Sequence, residues 1–208
     1  RPRLLSLGRL VKRKGVDTVI RALAEVPEAE LVIAGGADRE RLWTQPEAVR
    51  LRMVAERMGV IDRVHFLGCV DRHEVPALLR SVDVAVNVPW YEPFGISTVE
   101  AMACGVPVVA SRVGGHLDTV VHGRTGLLVP PRSPERLGRA VRWLLSDEAT
   151  RTSFAEAAAE RAREHYSWAE VARRTEECFL SRVAGARIPA QRADHSTPVG
   201  TTAMGGEE

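Results

Sequence analysis

Hydrophobic and polar positions follow two alternating periods along the first 130 residues of the chain. Between short apolar runs, apolar residues recur every three or four positions, so strands and amphipathic helices are expected in alternation. The predicted strands are Arg3 to Leu7, Glu30 to Ala34, Val64 to Leu67, Val82 to Val88 and Val106 to Ala110, and the predicted helices lie near Gly15 to Glu25, Glu47 to Met58, Glu74 to Ser81 and Ile96 to Ala103. This order predicts a Rossmann-like α/β fold, a parallel sheet with helices on both faces.

The pattern changes near residue 130. A last strand is predicted at Gly126 to Val129, and the Pro130-Pro131 pair separates it from a run of C-terminal helices. Three helices are predicted, at Pro134 to Leu145, Glu148 to Glu164 and Trp168 to Val183. Large apolar residues are scarce after Gly185, so residues 185–208 are predicted to be a disordered tail behind one folded domain over residues 1–184.

Composition narrows the class of protein. With 45% apolar residues in 208, the chain can bury one full core and has no room for a large second domain. A net charge of +2 does not indicate a nucleic-acid or membrane surface, so any anion must be bound locally. Three cysteines without CxxC spacing predict buried thiols and a cytoplasmic location. No apolar run approaches the ~20 residues of a membrane span, and no signal peptide is expected.

Two loops carry the candidate chemistry. In a sheet of order 3-2-1-4-5, the carboxyl ends of the first and fourth strands meet where the order reverses, which is where such sheets bind ligands. The loop after the first strand, Gly8 to Gly15, is strongly basic. The loop after the fourth, Pro89 to Gly95, carries a carboxylate and opens a helix whose free N–H groups suit a phosphate.

This juxtaposition predicts a nucleoside diphosphate site. Arg9 and Lys14 are expected to enclose the diphosphate against the helix that begins at Gly95. Glu100, about one turn inside that helix, is expected to accept hydrogen bonds from ribose hydroxyls. Taken separately, the basic loop is also compatible with a solvated surface, and the glutamates with surface charge. Their convergence at one crevice is what favours a site.

The stretch from Glu92 to Val109 resembles the E-x7-E region of family 4 glycosyltransferases, which are retaining enzymes of the two-lobed GT-B fold. Further segments similar to that family follow in the same order as in the family, and the resemblance spans about Arg3 to Val183. These segments are Gly8-Arg9 with Lys14-Gly15, Phe66 to Gly68, Gly114-Gly115 and Gly126 to Pro130.

The resemblance implies transfer of a sugar, with retention, from a nucleotide diphosphate sugar to an acceptor, and it assigns roles to individual residues. Arg9 and Lys14 match the diphosphate-binding pair and Glu100 the ribose carboxylate. Glu92 matches the glutamate that contacts the donor sugar. The remaining matches contribute backbone groups: Phe94, Gly95 and Ile96 around the phosphates and sugar, and Val70 beside the base.

Two departures from the family pattern stand out. The family often has glutamate where this chain has Asp118. An amino-terminal lobe with acceptor contacts is also absent from the sequence, so this chain is expected to be the donor-binding half of an enzyme and inactive alone. A sugar, lipid or small-molecule acceptor is expected on that other lobe, which could also provide membrane association.

No D-x-D pair occurs, so no metal and no other cofactor is expected at the diphosphate. Arg9 and Lys14 then stabilise the leaving group electrostatically, and a same-face substitution is the mechanistic hypothesis. The six histidines lack metal spacing and are expected at the surface or at strand ends; His116, after the double glycine, could border the sugar.

The sequence leaves alternatives open. Another GT-B activity, such as a phosphorylase or an epimerase, would share the architecture, and a non-catalytic nucleotide-sugar-binding module would share the donor site. The identities of the base, sugar and acceptor, the oligomeric state and the presence of an amino-terminal lobe in the native protein are not determined by this sequence.

Overall fold

A computed structural model describes residues 1–183 of the chain. Its six strands form one wholly parallel sheet in the order β3-β2-β1-β4-β5-β6, so the order reverses between β1 and β4 as predicted. The strands are β1 (Arg3–Leu7), β2 (Glu30–Ala34), β3 (Val64–Gly68), β4 (Val84–Asn87), β5 (Val108–Ser111) and β6 (Gly126–Val129).

Helices cover both faces of the sheet. They are α1 (Val16–Leu23), α2 (Pro46–Arg57), α3 (Val75–Arg80), α4 (Ile96–Ala103), α5 (His116–Thr119), α6 (Pro134–Ser146) and α7 (Glu148–Tyr166), and a further helix, α8 (Trp168–Val183), follows them in the chain. One buried apolar cluster joins α1, α2 and α6 to one face. A second cluster joins α3, α4 and α7 to the opposite face. The predicted Rossmann-like fold is therefore confirmed.

Burial on two faces explains why the strands appear as unbroken apolar runs. In β1, Leu4 belongs to the first cluster and Leu5 to the second, and both are almost fully buried. Neighbouring residues of a strand point to opposite faces, so a strand with helices on both sides needs apolar residues at every position. The central strands that position the site are held in this way.

The predicted elements end within two residues of the observed ones, with one omission. The sequence pattern did not predict α5, which is four residues long and directly follows the double glycine Gly114-Gly115. A single turn has too few positions to show helical periodicity. This short helix nevertheless matters to the candidate site.

Contacts divide the chain into two compact units, Arg1–Trp168 and Ala169–Glu208. The first contains the complete sheet and helices α1 to α7. In the second, α8 continues to Val183 and carries ion pairs of Arg173 with Glu170 and Glu177 along its surface. The tail predicted over residues 185–208 lies outside the described residues. No helix within residues 1–183 has the length and hydrophobicity needed to cross a bilayer.

Candidate functional site

The site begins where the carboxyl ends of β1 and β4 lie side by side. The loops that follow these strands are joined by a hydrogen bond in which the Trp90 N–H donates to the Arg13 carbonyl at 2.8 Å. Gly15, at the end of the first loop, has φ 70°, and a Cβ there would overlap the Val88 carbonyl oxygen. Only glycine allows this close approach, because it combines a left-handed backbone with no side chain. The predicted meeting of the two loops is confirmed.

An ion pair forms where these loops meet. Lys14 Nζ lies 2.6 Å from Glu92 Oε2, and the two side chains are only 16% and 10% exposed. The residues are 78 positions apart in sequence. An ammonium group has three N–H donors, so Lys14 can hold Glu92 and still donate to a second anion. The structure therefore brings together Lys14, which was predicted to bind the diphosphate, and Glu92, which was predicted to bind the sugar.

Arg9 and Glu100, the other two charged candidates, differ in their exposure. Arg9 follows β1 and is exposed, whereas Glu100 is half-buried in α4. Within residues 1–183, neither the Arg9 guanidinium nor the Glu100 carboxylate forms a hydrogen bond or ion pair. Both groups retain their hydrogen-bonding capacity for another molecule.

The first turn of α4 presents backbone donors. Its N-cap is Gly95, with φ 94°, and no side chain caps it. The N–H groups of Gly95, Ile96 and Ser97 donate to no acceptor within the described part of the chain. The Phe94 and Ile96 side chains are exposed on either side of Gly95. Free N–H groups and the positive end of the helix dipole make this turn suited to an anion.

The loop between β5 and α5 packs against the backbone of Glu92 and Phe94. The Gly115 N–H donates to the Glu92 carbonyl at 2.8 Å. A Cβ on Gly114 would overlap that same carbonyl oxygen, and one on Gly115 would overlap the Phe94 backbone. The double glycine thus lets two backbones pack directly against each other, which fixes the position of the Glu92 carboxylate.

His116, the first residue of α5, is fully buried, so the expectation of a surface or strand-end position is wrong for this residue. Its Nδ1 lies 3.0 Å from the Ser111 carbonyl oxygen and its Nε2 lies 3.1 Å from Thr98 Oγ1. Burial lowers the pKa of the imidazole, opposed by the hydrogen bond to Ser111 and by the nearby Glu92 carboxylate. The ring has space because α4 begins with glycine.

Asn87, at the end of β4, completes this buried group. Its Nδ2 donates to Ser97 Oγ and to Thr98 Oγ1, both at 2.9 Å. The sequence analysis did not assign Asn87 or Thr98, and it placed His116 beside the sugar and not in the interior. The usable signal for Asn87 and Thr98 was that each is a polar residue inside a predicted strand or helix.

The other candidates lie around this centre. Val70 follows β3 and its half-buried side chain packs on the second apolar cluster, leaving its backbone as the candidate contact with a base. Arg132 stacks on the Trp90 ring, with its Cζ 3.9 Å from the ring centroid. Cys69 is exposed, as is Cys178, so the prediction of buried thiols is wrong for both.

Comparison with known proteins decides the family. Residues 1–161 match the family described as Glycosyl transferases group 1. The chain belongs to this family. Glycogen synthase of Mycobacterium tuberculosis is 36% identical over 203 residues, covering 94% of this chain and 47% of that protein. This glycosyl transferase chain spans about half the length of the curated relatives it matches.

Two solved structures resemble the glycosyl transferase chain closely. HepE of Anabaena, in complex with UDP-glucose, is 28% identical with a TM-score of 0.78, covering 86% of this chain and 48% of that one. The C-terminal domain of a glycosyl transferase group 1 family protein (LpcC) from Francisella tularensis is 26% identical with a TM-score of 0.70. It covers 80% of this chain and 87% of that one.

Proposed function

We propose that this chain is the donor-binding lobe of a retaining glycosyltransferase and binds a nucleotide diphosphate sugar at the crevice between β1 and β4. The observation that carries this proposal is the Lys14–Glu92 ion pair, at 2.6 Å, in the crevice that the uncapped first turn of α4 also borders. The UDP-glucose complex of HepE supports the class of ligand. The match to a C-terminal domain of the same family supports the assignment to one lobe.

Each part of the donor has a proposed partner. The diphosphate is held by Arg9, Lys14 and the N–H groups at the start of α4, which combine two cations with a helix N-terminus. Glu100 accepts hydrogen bonds from the ribose, and the Val70 backbone borders the base. Glu92 accepts hydrogen bonds from the sugar, with the backbone of Phe94, Gly95 and Ile96 completing the surface around phosphates and sugar.

The chemistry of this arrangement is electrostatic. Negative charge develops on the diphosphate as the sugar leaves, and fixed donors aimed at that charge lower the barrier. In our proposal Arg9 and Lys14 provide this stabilisation and act as neither acid nor base. The departing phosphate accepts the acceptor's proton on the same face of the sugar, so the configuration is retained without a covalent intermediate. That the diphosphate is held without a metal, and that the protein is cytoplasmic, stay predictions.

The test is to titrate the chain with UDP, ADP and GDP by calorimetry and to compare alanine variants. Lys14→Ala and Arg9→Ala should each weaken binding of the preferred diphosphate by roughly 1.5–3 kcal/mol, the range for hydrogen bonds to charged groups. The matched nucleoside, which lacks phosphates, should respond far less. Lys12→Ala is the control, because Lys12 is exposed in the same loop. Equal effects at Lys12 and Lys14 would make the loop a diffuse basic patch and contradict the proposal.

A further inference from the structure

A buried polar cluster lies beneath the first turn of α4, and the proposed chemistry assigns it no role. It consists of Asn87, Ser97, Thr98, Ser111 and His116. Four side chains and the backbone carbonyl of Ser111 link the ends of β4 and β5 to the starts of α4 and α5. A polar cluster in this position is notable, because burying polar groups costs free energy unless their hydrogen bonds are satisfied.

The acceptors in the cluster fix the direction of its hydrogen bonds. The Ser111 carbonyl oxygen can only accept, so His116 Nδ1 carries the proton that it receives. In the neutral ring Nε2 is then an acceptor, and the Thr98 hydroxyl donates to it. The Thr98 oxygen in turn accepts from the Asn87 amide. A neutral imidazole satisfies every partner.

The surroundings of His116 favour that neutral form. Its ring is fully buried, and burial lowers its pKa. The charged groups that face it are Glu92, which opposes this shift, and Lys14, which reinforces it. Because the Glu92 carboxylate is already paired with Lys14, it compensates an imidazolium ion less well than an unpaired carboxylate would.

This arrangement has a consequence for the backbone of α4. Serine and threonine hydroxyls near a helix start can bond to backbone groups themselves. Here Ser97 and Thr98 are engaged by Asn87 and His116 instead, and the first N–H groups are left without a partner among the described residues. The imidazole also lies directly under Gly95, where a Cβ would be 2.8 Å from His116 Cδ2. The imidazole ring therefore determines how closely Gly95 approaches the buried cluster and how the first turn of α4 is oriented.

We propose that His116 is a positioning residue for the donor diphosphate: through Thr98, its imidazole holds the first turn of α4 so that the N–H groups of Gly95 and Ile96 face the phosphates. This inference rests on the proposed function. His116 itself is fully buried and acts only through Thr98 and the contact with Gly95.

The test is to change the hydroxyl that connects the imidazole to α4. Thr98→Val keeps the shape of the side chain and removes the hydrogen bond, whereas Thr98→Ser keeps the hydroxyl. We expect Thr98→Val to weaken binding of UDP and of inorganic diphosphate about three- to tenfold, the effect of one neutral hydrogen bond. Binding of uridine should not change, and Thr98→Ser should bind the phosphates like the wild type. His116→Gln, which offers an acceptor oxygen at similar reach, should bind better than His116→Leu.

Thermal unfolding of each variant, followed in parallel, shows how much folded protein each titration contains. If the wild-type chain binds none of UDP, ADP and GDP and no inorganic diphosphate, the proposed function itself fails. If the wild type binds and Thr98→Val binds equally well, or loses uridine and diphosphate binding to the same extent, only the positioning role is overturned. Failure of both Thr98→Ser and His116→Gln to restore binding would also overturn it.

Discussion

Glu100 occupies the fifth position of α4, one turn from the helix start that is proposed to bind phosphate. Its carboxylate is half-buried and has no hydrogen bond or ion pair within residues 1–183, so it does not secure Arg9 or Lys14 by a salt bridge. The carboxylate oxygens are therefore available to accept hydrogen bonds from a ligand. This supports the role predicted from sequence, as an acceptor for ribose hydroxyls.

We predict that Glu100→Gln distinguishes ligands by their hydroxyls. The change keeps length and one acceptor oxygen but removes the charge, and charge-assisted hydrogen bonds are roughly twice as strong as neutral ones. Affinity for the ribonucleotide should fall clearly, and affinity for its 2′-deoxy form should fall less. Inorganic diphosphate should bind as well as before or slightly better, since a nearby negative charge is gone.

Calorimetric titration of both proteins with the three ligands measures these differences. Glu156→Gln, on the exposed surface of α7, is the matched control and should change none of the affinities. A uniform loss for all three ligands in Glu100→Gln would show a general effect on the fold and would remove Glu100 from the site.

At the scale of single residues, the sequence predicted which side chains lie near the crevice but not how they contact each other. Lys14 and Glu92 were assigned to different parts of the donor, and their direct ion pair was not expected. This ion pair depends on how closely the loops after β1 and β4 approach each other. The close packing at Gly15 and Gly114 determines that approach. The burial of His116 was not predicted, because one isolated histidine carries no pattern that distinguishes interior from surface.

At the scale of elements, the loop from Gly8 to Gly15 depends on how closely it approaches the loop after β4. Gly15 and Gly59 form a natural comparison, because both have a left-handed backbone, with φ of 70° and 65°. A Cβ at Gly15 would overlap the Val88 carbonyl oxygen, whereas one at Gly59 would meet nothing within 4 Å. Substitution by alanine therefore has the same conformational cost at both positions. Only at Gly15 does it also create a steric clash.

We predict that Gly59→Ala lowers the free energy of unfolding by about 1–2 kcal/mol, the cost of a left-handed non-glycine residue. Gly15→Ala should cost about 1–3 kcal/mol more, since the loops must separate to relieve overpacking. It should also weaken nucleoside diphosphate binding, because Lys14 moves with the loop, and Gly59→Ala should not. Chemical denaturation and calorimetry measure both effects. Equal stabilities, with equal affinities, would show that the contact with Val88 is unimportant.

Elements were well predicted wherever burial is extensive. Strands covered on both faces and helices with one apolar stripe produce clear hydrophobic patterns in the sequence. Their predicted bounds agree with the observed bounds within two residues. The short α5 left none, because its four residues are positioned by the Gly115–Glu92 hydrogen bond and by the His116 cluster. Tertiary contacts, and not local periodicity, produce this element.

At the scale of the whole molecule, the alternation of strands and helices predicts a parallel sheet, and the common order 3-2-1-4-5 that was assumed for it agrees with the observed order up to β5. The site as a whole could be located in the same way, since it lies where that order reverses. The acceptor is different: no feature of residues 1–183 identifies its contacts. The chain matches less than half of the length of its first curated relatives, at 43% and 47%.

We predict that the purified 208-residue chain binds a nucleoside diphosphate and transfers no sugar. The proposed donor groups lie in residues 9–100, whereas orientation of an acceptor requires contacts that we assign to a second lobe. Loss of such orientation removes the largest advantage of a bimolecular active site, worth about 7–11 kcal/mol of barrier. Product assays with UDP-glucose and with other donors, run beside the titrations, measure transfer. Clear transfer of sugar to any acceptor by this chain would refute the assignment of acceptor binding to a second lobe.

Within the crevice, the Glu92 carboxylate is already the counter-ion of the Lys14 ammonium group. A phosphate that approaches Lys14 meets a cation already paired with a carboxylate, and the remaining N–H donors of the ammonium group can bind the phosphate while Glu92 stays in place. Because less free charge faces the solution, ionic strength should influence affinity less than it would on an open basic surface. The carboxylate paired with Lys14 is the same one proposed to hold the sugar. The ion pair would therefore hold the proposed partners of the diphosphate and of the sugar in a fixed relation to each other before the donor binds.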